Sequence, residues 1–153
     1  NSMQAAEKVY QSYRLEVTNP GGHSSRPVRN NAIYHLAEGL TRLAEFTFPV
    51  ELTEVTKSYF TRMAEIESGA TSADMKIVSM STPPDKDAAD RLSNSTLNNA
   101  LLRTTCVATQ LEGGHAENAL PQIARATVNC RLIPGKSEIE VQATLTRVLA
   151  NDL

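Results

Sequence analysis

The chain has 153 residues, a formal net charge of -2 and ordinary charged and apolar fractions. That is enough for one domain with a real core, and it carries no basic footprint for nucleic acid. No apolar run approaches the length of a transmembrane helix or of a signal-peptide core, so neither a nucleic acid nor a membrane is expected as a partner.

Asn1-Ser2-Met3 reads as a cloning remnant ahead of native sequence. From Lys8 to Val17 apolar and polar residues alternate, as in a half-buried strand. Val9, Gln11, Tyr13, Leu15 and Val17 share one face; Tyr10 falls on the other, so one tyrosine ring is expected at the surface. Asn19-Pro20-Gly21-Gly22-His23-Ser24-Ser25-Arg26-Pro27 then forms a sharp turn carrying one histidine, with two glycines before it and two hydroxyls after it. Ile33, Leu36, Ala37, Leu40, Leu43 and Ala44 recur at helical spacing. Asn30 or Asn31 caps this helix, which runs to about Phe46 before Pro49 forbids its continuation.

Between Glu51 and Asn99 the pattern loosens. Val55, Tyr59, Phe60, Met63 and Ile66 predict a second helix ending near Gly69; after the break at Ser81-Thr82-Pro83-Pro84-Asp85, Ala88, Ala89 and Leu92 predict a short one. With few large apolar residues, this stretch reads as a helical insertion (about 51–99) within a single domain spanning 1–153. Alternation returns at Arg103, with Thr105, Val107, Thr109 and Leu111 on one strand face. The next strand packs Ala124, Ala126, Val128, Cys130 and Leu132, and the Gly113–Pro121 loop between the two is longer than a tight hairpin needs. Ser137 and Glu140 form an S-x-x-E capping box for a last helix with Val141, Leu145, Val148 and Leu149 as its stripe. Cys106 and Cys130 match neither CxxC nor a zinc spacing. Their apolar settings favour buried free thiols, and a disulfide stays open if their strands are neighbours.

The order strand, helix, helical insert, strand, strand, helix, with one missing strand expected after Leu153, predicts an α+β, ferredoxin-like split βαβ fold. Two helices cover one face of an antiparallel sheet. A free sheet edge invites pairing, so a homodimer through the edge strand and first helix is expected.

The chemical inventory is sparse. The only histidines are His23, His35 and His115, and no HExxH, HxD, CxxC, GxSxG or phosphate-binding glycine loop occurs. His35 lies beside the helical stripe, and His115 reads as a solvated loop residue. His23, Asn118, Arg125 and Arg131 remain as polar groups on loops and strand ends: an imidazole donor, an amide and two guanidinium groups able to fork onto a carboxylate. Arg125 reads as part of a cross-strand charge row facing water.

Asn19-Pro-Gly-Gly-His-Ser-Ser-Arg-Pro27 resembles the lid-domain turn of the M20 metallopeptidases, which include carboxypeptidases, aminoacylases and desuccinylases. Gly113-Gly-His-Ala-Glu-Asn-Ala-Leu-Pro121 and Ala126-Thr-Val-Asn-Cys-Arg-Leu-Ile-Pro-Gly135 resemble the G-x-x-x-N-x-x-P and R-x-x-P-G segments of the same domain. The resemblance implies a lid and dimerisation domain whose parent hydrolyses peptide or N-acyl amide bonds with two zinc ions. Those ions would sit in a separate catalytic domain, and none on this segment. It also implies roles by position: His23 supports the oxyanion in a partner subunit's active site, Asn118 holds substrate, Arg131 grips its carboxylate and Gly114 allows close approach. The insert is larger than in short relatives. A stand-alone ferredoxin-like module that binds a small carboxylate, or only oligomerises, is the competing reading.

Overall fold

In a computed structural model, residues 7–150 are described. Asn1-Ser2-Met3, read above as a cloning remnant, and the strand expected after Leu153 lie outside them. The elements run β1 (Val9–Thr18), β2 (Gly22–His23), α1 (Ala32–Glu45), α2 (Glu54–Ile66), α3 (Gly69–Met80), α4 (Lys86–Leu92), α5 (Thr96–Leu102), β3 (Thr105–Gly113), β4 (Ala119–Leu120), β5 (Ile123–Leu132) and α6 (Glu138–Leu149). No helix among them is long and apolar enough to cross a membrane.

The residues form two compact units. The first comprises Tyr10–Thr47, Cys106–Cys130 and the chain from Ser137 onward. It holds most of an antiparallel sheet of order β1-β5-β3. In chain order this is first-third-second, the ferredoxin-like arrangement less its fourth strand, and the fold class matches the sequence-based expectation. β5 lies in the middle and buries every second residue from Ala124 to Leu132. Ala124 and Ala126 meet Ala32 and Leu36 of α1, with Leu15 and Val17 of β1 packed against them. Helix α1 begins where Asn31 accepts the Ile33 N–H at 2.8 Å. Arg42 ties it to α6 by donating to the carbonyls of Val148 and Leu149 at 3.2 and 2.7 Å. There a cation also complements the negative end of the helix dipole.

Three details of this unit differ from the expectation. The buried stripe of α1 is Ala32, Leu36, Gly39 and Leu43, while Ile33, Ala37 and Ala44 face outward; periodicity fixes a stripe's width more tightly than its rotation. Ser137 caps α6 by accepting the Ile139 N–H at 3.2 Å, rather than the N–H three residues on that a capping box uses. Cys106 and Cys130 are joined as a disulfide, with Cα atoms 4.1 Å apart on the neighbouring strands β3 and β5. The pairing of β3 with β5 brings the two cysteines together, which their separation along the chain does not encode.

The second unit comprises the chain up to Val9, Phe48–Thr105 and Arg131–Lys136. Helix α2 opens on a Thr53/Thr56 capping box, and Asp85 and Ser95 cap α4 and α5. Phe60, Met75, Val78, Ala88, Ala89, Leu92 and Leu102 form a buried cluster. A stretch with few large apolar residues thus still buries a cluster of its own, in which Ala88 and Ala89 pack among the larger side chains. Helix α3 had no counterpart in the sequence reading. Its buried face is Asp74, Met75 and Val78, so a carboxylate interrupts the apolar stripe. Arg91 of α4 meets that carboxylate through Nη2 at 2.7 Å and Nε at 3.0 Å, holding it below the usual aspartate range.

Candidate functional site

The turn after β1 does not run straight into α1. Gly22 and His23 form β2, which pairs antiparallel with β4: Gly22 opposite Leu120 and His23 opposite Ala119. One step on, the Ser24 N–H donates to the Asn118 carbonyl at 2.9 Å. The glycine before this ladder is committed to its role. Gly21 has φ +77, and a Cβ there would stand 2.8 Å from Gln122 Cγ and 3.1 Å from the Leu120 carbonyl oxygen. The Asn19 side chain also accepts the Gly21 N–H and donates to Asn30.

His23 and Asn118 are both exposed, and this corner brings them side by side. The imidazole is oriented by Ser25. The Ser25 backbone N–H donates to His23 Nδ1 at 3.2 Å, and the Ser25 hydroxyl lies 2.8 Å from the same nitrogen. A backbone N–H can only donate, so Nδ1 is the acceptor and the ring proton resides on Nε2. The imidazole thus presents an N–H donor on its outward side. Ser25 was noted from sequence only as one of two hydroxyls after the histidine; its spacing two residues on is what lets it reach back.

Gly114 follows β3 with φ +84 and open space around it, in a cleft of about 260 Å³ lined with Glu112, His115, Gln122 and Arg125. Arg125 pairs with Glu16 across β5 and β1 at 2.7 Å, the charge row read from the alternation. His35 Nε2 lies 3.0 Å from Asn30 Oδ1, and His115 is exposed. The remaining candidate is Arg131. It is exposed, one of the last two residues of β5, and belongs to the second unit, where its charge helps depress Lys8. Among the described residues no three His, Cys, Asp or Glu groups converge to hold a metal ion.

A ferredoxin-like α+β fold with a histidine on an exposed corner defines the class of domain, and the fold by itself does not define a reaction. The family described as the peptidase dimerisation domain of M20 matches residues 5–153, and the chain belongs to it. Among its relatives, the human N-fatty-acyl-amino acid synthase/hydrolase PM20D1 is 27% identical over 147 residues, covering 96% of this chain and 29% of that protein. Carboxypeptidase S of Saccharomyces cerevisiae is 30% identical over 142 residues, covering 89% and 24%. The chain therefore spans under a third of these relatives' length. A crystal structure of an M20 family metallo-carboxypeptidase, Sso-CP2 of Sulfolobus solfataricus, shares the fold, with a TM-score of 0.52 and 18% identity over 92% of this chain and 33% of that one.

Proposed function

We propose that this chain is the dimerisation and lid domain of a metal-dependent M20 hydrolase that cleaves peptide or N-acyl amide bonds, and that His23 supplies an oxyanion-stabilising hydrogen bond to its partner subunit's active site. The observation that carries the reading is the pair of Ser25 contacts at Nδ1 of an exposed imidazole, which leave the ring proton to Nε2 before any substrate arrives. A donor already in place loses nothing to reorganisation as negative charge develops on a carbonyl oxygen. Asn118, whose backbone carbonyl accepts the Ser24 N–H, orients the amide. Gly114 lets the substrate pass close to the backbone, and the resemblance alone assigns the substrate's carboxylate to Arg131, which belongs to the second unit.

The family implies a metal, and two zinc ions are the reading carried over from the resemblance. Among the described residues no donor set fits one, so its ligands are assigned to the rest of the parent protein and no metal step is derived for this chain. The relatives' names support both substrate classes, N-acyl amino acids and peptides.

The dimer is assigned to α1 and β3. β3 ends the sheet, and its Leu111 is 68% exposed beside the outward-facing Ile33 and Ala37 of α1. An unpaired edge with an apolar border is what a second copy would cover.

The test is subunit complementation in the complete protein. A His23→Ala subunit is paired with a subunit whose catalytic domain has been inactivated. Each homodimer is expected to be inactive, and the mixed dimer to recover activity because one of its sites has both parts. A mixed dimer as inactive as its parents overturns the delivery across subunits.

A further inference from the structure

The second unit carries a cleft of about 660 Å³ that the function proposed above does not use. Val55, Tyr59, Leu101, Ile133 and Pro134 form its apolar wall, and Lys8 stands at its rim. Lys8 differs from the chain's other four lysines. Lys57, Lys86 and Lys136 pair with Glu54, Asp90 and Glu51 at 3.2, 2.6 and 2.7 Å, and Lys76 is exposed. Lys8 Nζ instead meets two neutral acceptors, the Arg103 carbonyl at 2.6 Å and Thr105 Oγ1 at 3.5 Å, and among the described residues it forms no ion pair. Neither acceptor is a carboxylate, so no paired negative charge holds this amine in its protonated form.

We propose that Lys8 is an acylation site for acyl thioesters with an apolar chain, the chain lying along the cleft wall. The neutral Nζ attacks the thioester carbonyl carbon. The C–N bond forms, the C–S bond breaks with its electron pair leaving on sulfur as thiolate, and the proton shed by nitrogen goes to solvent. The surroundings favour the reactive form: half-burial, and secondarily the Arg131 charge, push Lys8 down to about 8. The other charged groups lining the cleft are Glu7, Glu54 and Arg62, and Glu54 is engaged with Lys57. At pH 8 the neutral fraction of such an amine is roughly a hundred times that of an ordinary lysine, a gain partly offset by its lower basicity. The proposal stands independently of any role for His23.

The test treats the 153-residue chain with limiting octanoyl or acetyl thioester of N-acetylcysteamine, with peptide mass spectrometry reading occupancy at all five lysines. With the octanoyl donor at pH 8, Lys8 is expected to acylate at least tenfold faster than Lys76, with its half-maximal rate near pH 8. This preference is expected to shrink with the acetyl donor and vanish in guanidinium chloride. Acylation of Lys8 no faster than Lys76, or a preference indifferent to chain length, overturns the proposal.

Discussion

The Ser24 N–H and the Asn118 carbonyl are joined at 2.9 Å, one step beyond the ladder in which His23 faces Ala119. Two loops far apart in the chain are thereby held as one corner. The histidine and the asparagine then keep their spacing as a property of backbone pairing, not of side-chain contact. Substitutions at either side chain are accordingly expected to change chemistry without unfolding the corner.

His23→Ala in the complete protein is expected to lower kcat by about 10²–10³, the usual effect of losing one oxyanion donor, with KM and melting temperature close to the parent's. Ser25→Ala removes one of the two groups holding Nδ1 and keeps the other. A fall of about fivefold in kcat follows from the loss of one ordinary hydrogen bond. Steady-state kinetics of both variants checks this, and a His23→Ala effect confined to KM would remove the histidine from the chemistry.

Gly21→Ala must take up both a positive φ and a Cβ pressed against Gln122 and the Leu120 carbonyl, whereas Gly114→Ala meets only the positive φ. The first is expected to cost about 2–3 kcal/mol and the second about 1. Thermal unfolding of the pair measures the difference. Equal losses would show that the crowding at Gly21 relaxes freely.

Arg91→Ala leaves the buried Asp74 carboxylate without its fork. Because Arg91 is itself more than half exposed, solvent screens the pair, and the loss is expected to be well below that of a fully buried pair. The pH dependence has a definite sign. The folded-state carboxyl lies below its unfolded value, so its contribution is present above the ordinary aspartate range, near pH 4, and fades as pH falls through the folded value. Denaturant unfolding between pH 7 and pH 3 should show a shallower acid loss in Arg91→Ala. An unchanged acid limb would mean that other carboxylates govern it.

Reducing the Cys106–Cys130 disulfide, or replacing both residues by serine, is expected to lower stability by about 2–4 kcal/mol by freeing the unfolded chain. A melting temperature indifferent to reductant, with free thiols absent beforehand, would contradict this.

What the linear chain determined by itself was local. Alternation in β1 and β5 marked the packed faces because a strand's side chains change sides at every residue. Asn30-Asn31 announced the start of α1, and Asn31 caps it because its side chain satisfies an N–H only two residues away. The motif around His23 pointed to the family before any coordinates. Tertiary structure alone decided which distant pieces meet: the disulfide between β3 and β5, the ladder joining His23 to the Asn118 loop, and the core built on α2, α3 and α4. Each joins segments separated along the sequence, so no periodicity encodes it. In α3 the partner of Asp74 lies on another helix, and a buried charge reads as a surface residue until that partner is known.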